Sequence, residues 1–156
     1  MAVENWIDDL VDVMGGVAGH NGKTVRAFYV YKKAEFPDAI AVFPCVLTFT
    51  DSMSPEYSAG GPLRDHWVGV CEFHLFPDIS RTHYPELMLY FARIRKAMAE
   101  HITLGGKVNH FTPRSDTQYP LRGPVRLQYG DEAPHLGIVV LWEVKENVNS
   151  EFTPAA

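Results

Sequence analysis

Hydrophobic positions near the start of the chain recur at helical spacing. Val3, Ile7, Leu10, Val11 and Met14 repeat at intervals of three and four, and Gly15-Gly16 follows as a stop, which predicts a helix over Val3–Met14. Glu4, Asp8 and Asp12 form an acidic stripe on its opposite face. Like charges at i, i+4 cost an isolated helix about 0.2–0.5 kcal/mol each. A solvated face explains the stripe most simply; charge complementary to a neighbouring subunit is the functional alternative. A glycine-rich loop over Gly15–Lys23 follows, and the period then changes to two. Strands are predicted over Thr24–Lys32 and Ala39–Thr50, the second with Ala41, Phe43, Cys45, Leu47 and Phe49 on one face. Pro44 removes a ladder donor, so this strand is expected at an edge or with a bulge.

The polar stretch Asp51–Pro62 reads as a long loop. His66–Phe76 alternates clearly and is expected to be central, with Trp67, Gly69, Cys71, Phe73 and Leu75 on one face and His66, Val68, Val70, Glu72 and His74 on the other. A second helix is predicted over Pro85–Ile102, its stripe being Leu87, Phe91, Ile94, Met98 and Ile102 and its start favoured by Pro85. Short strands around Lys107–Thr112 and Val125–Tyr129 flank a second long loop, Pro113–Pro124. A last strand covers Leu136–Lys145, with Ile138, Val140, Trp142 and Val144 sharing a face. The order helix, three strands, helix, three strands predicts an α+β fold, a mainly antiparallel sheet of five or six strands with two helices packed on it. Residues 1–146 are expected to form one domain, and 147–156 a flexible tail.

Composition fits that reading. The 156 residues are 46% hydrophobic and 21% charged, which suits one globular core. The formal net charge of −5 repels nucleic-acid phosphate unless positive charge is gathered in a patch. Arg93, Arg95 and Lys96 do cluster on the second helix, but without interleaved aromatics they are a weak signal of that kind. Two cysteines, Cys45 and Cys71, are too few for a disulfide framework. Each lies in an apolar run, where a buried thiol is the ordinary reading; a bridge needs their strands to be neighbours. The first residues lack the basic and apolar regions of a signal peptide, and no apolar run reaches the ~20 residues of a membrane span. Synthesis in the cytoplasm and no membrane partner are the expectations.

The search for chemistry returns little. Seven histidines, at positions 20, 66, 74, 83, 101, 110 and 135, include no pair at the i, i+3 or i, i+4 spacing of a helical metal site. His66 and His74 share a strand face, but eight residues at ~3.3 Å each place them ~26 Å apart. Glu72 and His74 form the nearest same-face acid–imidazole pair, a spacing suited to acid–base work but commoner at a rim. No Gly-x-Ser-x-Gly turn occurs, neither cysteine has an activating context, and the Gly-Gly pairs lack phosphate-loop neighbours. No catalytic residue, cofactor site or metal site is therefore expected.

The order of elements resembles a known family. The opening helix Val3–Met14, the strand pair with its Gly/Pro-rich loop, and the long strand His66–Phe76 contribute. So do the helix running into Ile102-Thr103-Leu104-Gly105-Gly106-Lys107-Val108, and the segments Gly123–Gly130 and Gly137–Val144. Together they resemble the small tail-terminator proteins, and their neck and tail-completion relatives, of bacteriophages with long non-contractile tails. The likeness spans about Val3 to Glu146. It implies a mixed sheet flanked by helices and a homo-oligomer of six copies in a ring. That ring would sit in the virion, cap the tail tube protein and offer a docking face to the head-completion or connector protein. DNA would pass through without specific binding, and no catalytic residue or cofactor is implied. In such a ring each interface is heterologous, so Glu4, Asp8 and Asp12 against Arg93 and Lys96 are the candidate interface residues, with both long loops as further contact candidates.

An enzyme or ligand-binding protein on a cone-shaped α+β scaffold is the alternative. Its pocket would be lined by Tyr29, Tyr31, Trp67, Phe73 and Trp142, with Glu72 or His74 supplying acid–base chemistry. A deep pocket holding one of these groups favours the enzyme; a filled core with exposed apolar flanks favours the ring.

Overall fold

Two long alternating strands organise the molecule. In the computed structural model, which describes residues 6–15, 29–31, 38–40, 43–56 and 64–147, β3 (Arg64–Phe76) lies antiparallel between β2 (Cys45–Glu56) and β6 (His135–Asn147). The outer edge of β6 is shared: β4 (His110–Pro113) pairs with Trp142–Lys145, and β5 (Leu121–Leu127) pairs along His135–Val140. Across the sheet, β1 (Tyr29–Tyr31) runs parallel to the start of β2. The result is a six-stranded, mainly antiparallel mixed sheet, accompanied by α1 (Ile7–Gly15) and α2 (Tyr84–Glu100). The fold is α+β, as the chain's periodicities indicate.

Both helices serve one face of the sheet. Ile7, Leu10 and Met14 of α1 and Leu87, Tyr90, Ile94 and Met98 of α2 join Val46, Cys71, Phe73, Ile138, Val140, Trp142 and Val144 in one core. Trp6, just before α1, sets its ring edge-on to Trp67 at 5.9 Å and to Trp142 at 6.0 Å. Full burial of such a side chain stabilises the fold by about 1.5–3 kcal/mol, so this aromatic cluster anchors α1 to the sheet.

Several boundaries differ from the periodicity, each for a physical reason. Pro44 precedes β2 rather than interrupting it, and the Phe43–Pro44 peptide bond is cis. The strand then continues to Glu56, through the first half of the expected loop Asp51–Pro62. Its residues from Phe49 to Pro55 are exposed, so no apolar alternation marks them, and a register shift between Thr50 and Ser52 breaks the phase. Beyond Leu47 no described strand pairs with the outer edge of β2, where Pro55 is tolerated without an N–H. The second expected loop, Pro113–Pro124, shrinks to residues 114–120, because Pro113 belongs to β4 and Leu121–Pro124 to β5. A register shift between Arg122 and Val125, around the cis Gly123–Pro124 bond, hides that part of β5 from a period-two reading.

The second helix ends at Glu100, and Ile102 is 46% exposed rather than part of the buried stripe. Past Glu100 the chain turns, with Leu104, Gly105 and Gly106 at positive φ, so helical spacing no longer applies. Tyr90 takes a buried place on α2, and Phe91 is only partly buried. Val3 and Glu4 of the expected first helix, residues 24–28 and 32 of the expected first strand, and residues 148–156 of the expected tail lie outside the described residues. Asn147, expected to begin that tail, closes β6.

Candidate functional site

Among the described residues no helix covers the second face of the sheet, here called the helix-free face, and it carries two networks of polar groups. Strand alternation sends His66, Val68, Val70, Glu72 and His74 of β3 to this side. The register sets them beside Lys145, Glu143, Leu141, Val139 and Gly137 of β6 in that order. Phe49 of β2 stands opposite Val70, so Phe49, Val70 and Leu141 form one apolar row across three strands. Val68, Val70, Val139 and Leu141 are only partly buried, and Phe49 is 37% exposed.

A carboxylate–imidazole network borders the row on one side. His66 Nε2 lies 2.6 Å from Glu143 Oε2, and its Nδ1 lies 3.3 Å from Glu56 Oε1. Glu143 Oε1 accepts from the Ser115 backbone N–H at 3.2 Å. Burial opposes ionisation of Glu143, but hydrogen bonds from Ser115 and His66 outweigh it and hold the carboxyl below the usual carboxylate range. Ser54 pairs with His66 across the strands. Carboxylates face both imidazole nitrogens, so neither ring nitrogen is left to activate the Ser54 hydroxyl.

A second network lies at the other end. The Nδ1 atoms of His74 and His135 approach to 3.0 Å, and both side chains are buried. His135 Nε2 lies 3.2 Å from Glu132 Oε2, while Glu132 Oε1 accepts from the Ile40 backbone N–H at 2.8 Å. Ile40, Cys45 and Leu47, with Phe43 and Tyr129 against them, form a small apolar cluster here. Phe43 sets its ring edge-on to His135 at 4.8 Å, and Tyr129 does so to His74 at 6.3 Å. Among the described residues, no group of three or more His, Cys, Asp or Glu side chains is arranged to hold a metal ion.

No family model, curated protein or solved structure matches the chain. The reading of the site therefore rests on its own geometry.

That geometry corrects the expected enzyme pocket. Phe73 and Trp142 are fully buried in the helix-side core and Trp67 packs against it, whereas Glu72 and His74 project from the opposite face of β3. One pocket cannot hold both sets, because successive strand residues point to opposite sides. Tyr29 and Tyr31 lie on β1, and their side chains are outside the described residues.

The candidate interface residues occupy both helices. Asp8 on α1 is half-buried, with one carboxylate oxygen enclosed and without a hydrogen bond, while Asp12 is exposed. Asp12 lines an open groove of about 420 Å³ with Asp9, Val13, His101, Leu104 and Gly105. Lys107 binds Asp9 nearby. On α2, Arg93 is half-buried, and Lys96, 75% exposed, forms a loose 3.8 Å pair with Glu100. Exposed pairs of this kind contribute only about 0.3–0.5 kcal/mol, so Lys96 remains available to another partner. Glu4 is outside the described residues.

Sequence reasoning missed Glu132, His135, Glu143 and Glu146. Glu146 alone carried a signal: it continues the apolar face of Val140, Trp142 and Val144, where a charge is out of place. It is 1% exposed, its Oε1 accepts from Trp67 Nε1 at 3.2 Å, and burial pushes its pKa up.

The cysteines are both free and lie on opposite faces. Although β2 and β3 are neighbours, Cys45 stands opposite His74 and Cys71 opposite Thr48, which rules out a bridge between them. Burial pushes both thiols up to about 12; nearby Glu132 and Glu72 add to the shift at Cys45. Neither thiol should react with a disulfide reagent in the native protein at about pH 8, and both should react in denaturant. Rapid native labelling of Cys45 would show that the second face is open at that point.

Proposed function

We propose that the chain is a virion structural protein: a tail terminator that caps the tail tube as a ring and presents a docking face to the head connector. The observation that carries this reading is the pairing of a filled helix-side core with apolar residues left at the surface. Phe49, Val70 and Leu141 cross the helix-free face, and Met53, Tyr84, Met88 and Leu89 are exposed large apolar groups elsewhere. Surfaces of this type suit association. Glu72 and His74, the groups an enzyme of this architecture would use, are separated by the sheet from Phe73 and Trp142, two of the aromatic side chains expected to line its pocket. The order of elements, similar to that of the tail-terminator group, adds to this support. In this reading six copies form the ring, DNA passes through a net-negative conduit without being retained, and the chain works in the virion after synthesis in the host cytoplasm.

Electron microscopy of the purified protein, alone and mixed with tail tubes, tests the proposal. Rings, or caps on tube ends, are expected; a monomer that never associates with tubes would overturn it. Charge reversal probes the interface. Asp8→Lys with Asp12→Lys should raise the concentration needed for ring formation by about tenfold or more, since opposed like charges are strongly unfavourable. Arg93→Glu with Lys96→Glu on the same chain should restore assembly. Unchanged assembly in the first double variant would remove these residues from the interface.

A further inference from the structure

We infer that the outward stripe of α2 is a self-association surface, and that it docks on a second copy of the chain in the acid-rimmed groove beside α1. This deepens the ring reading above and rests on it, since it names the two surfaces that meet between neighbouring copies.

Helical geometry defines the stripe. At 3.6 residues per turn, Tyr84, Met88, Ala92, Arg95 and Ala99 line one side of α2, with Leu89 and Lys96 alongside. All of these are exposed, Met88 at 55%. The core-facing stripe is a different one: Leu87, Tyr90, Ile94 and Met98 are buried in the cluster shared with the sheet and α1. A helix that packs by one face ordinarily carries charge on the other. Here Glu86, Arg93 and Glu100 fall on a flank, and the side turned away from the core is mostly apolar or small. Its two cations, Arg95 and Lys96, stand in the C-terminal half. Such a face suits a partner better than water.

The groove has the complementary character. Asp9 and Asp12 stand at its rim, and Val13, Leu104 and Gly105 contribute its apolar part. Its volume of about 420 Å³ lies within the roughly 300–1,000 Å³ of clefts that enclose ligand groups, so large apolar side chains can enter it. A Cβ on Gly105 would meet nothing within 4 Å, so the groove is open at that wall. His101 donates its Nδ1–H to the Ala97 carbonyl at 2.8 Å, which makes Nε2 of the neutral ring an acceptor. The last turn of α2 holds no basic residue, so the negative end of the helix is uncompensated from within. Asp12, His101 and the helix end favour a cation, and Arg95 and Lys96 of another copy supply one.

Charge complementarity thus selects a second copy as the occupant. One chain cannot bring its own two surfaces together, because from Met88 to His101 the helix axis rises about 20 Å. A contact between the stripe of one copy and the groove of the next is heterologous. Each end copy keeps one surface unused until the series closes, which is how rings are built. Of the charge pairs expected from the sequence, Asp8 and Arg93 are half-buried, whereas Asp12 lines the groove and Lys96 borders the stripe.

Cysteine cross-linking of the full chain tests the contact. Cys45 and Cys71 are buried, with thiols pushed up to about 12, so a short bismaleimide reaches only introduced cysteines. A mixture of Met88→Cys and Asp12→Cys chains should give a cross-linked dimer. A chain carrying both substitutions should give a ladder that ends at the closed ring. Either single variant alone should give none, because a heterologous contact does not set residue 88 against itself. Sedimentation supplies a second readout. Met88→Glu, at an exposed helix position, should leave the monomer folded and raise the concentration needed for self-association by about tenfold or more. Met88→Lys, similar in length and opposite in charge, should keep most of the association.

Three results would each overturn the contact: dimers from Met88→Cys alone, no cross-link in the mixture, or equal losses in Met88→Glu and Met88→Lys. Rings in micrographs without the cross-link would leave the ring reading standing and remove this interface. A cross-linked ladder that never caps tail tubes would keep the interface and remove the terminator.

Discussion

Gly137→Ala is expected to destabilise the domain by about 3 kcal/mol or more, a large fraction of the roughly 5–15 kcal/mol that keeps a domain folded. A Cβ at this position would lie 1.9 Å from the Phe73 carbonyl oxygen and 3.0 Å from its carbon, with Leu127 Cδ1 at 2.7 Å. The collision is with the backbone of β3, the strand against which β6 is registered, so no change of rotamer relieves it. Separation of the strands would disturb the His74–Gly137 pairing and the core behind it. Gly123→Ala is the control. Its Cβ would meet Ile138 Cγ1 and the ring tip of Phe91 at 3.0 Å and the Gly137 carbonyl oxygen at 3.3 Å, contacts far less severe than those at Gly137, and its cost should be nearer about 1 kcal/mol. Urea unfolding of both variants checks the contrast; equal midpoints would refute the assignment of β6 to this register.

The second large effect lies at Gly69. A Cβ there would stand 2.1 Å from Trp142 Cζ2 and 2.5 Å from the Phe49 carbonyl oxygen. The indole of Trp142 therefore lies directly over the β3 backbone, in the space a side chain would take, and Trp6 packs edge-on against it. Gly69→Ala should cost about 3 kcal/mol, and Trp142→Leu about 3–5 kcal/mol through the volume it removes. The two losses should not add. With the indole gone, half of the obstruction at position 69 disappears, so the double variant should be more stable than the sum predicts by about 1 kcal/mol or more. The Phe49 carbonyl remains in the way, so the rescue should be partial. Strict additivity would mean that Trp142 does not rest on Gly69.

Much of the fold was legible in residue order. α1 and α2 could be placed from apolar spacing, and the central position of β3 from its uninterrupted alternation. The faces of β3 and β6 were readable too, since each has a strongly apolar side. What escaped lay where alternation is absent or broken. The outer half of β2 is exposed, so nothing in its side chains distinguishes strand from loop, and the register shift after Thr50 reverses its phase. The Gly123-Pro124 step does the same to β5. Ile102 was misplaced because a helical stripe was extended past the point where the chain turns.

The candidate site was legible only in part. His74 and Glu72 stood out as a same-face pair, yet the network around His74 is built from partners that no spacing reveals. His135 is 61 residues from His74, and Glu132 is 92 from Ile40. Periodicity is a relation among near neighbours in the chain, so the sequence by itself determined the helices, the regularly alternating strands and which of their faces are apolar. Strand order and register decided the rest. Setting β6 beside β3, with Gly137 against His74, brings the turn before β6 over the end of β3. That places the two imidazoles in contact, and a shift by one residue would send every side chain of β6 to the other face.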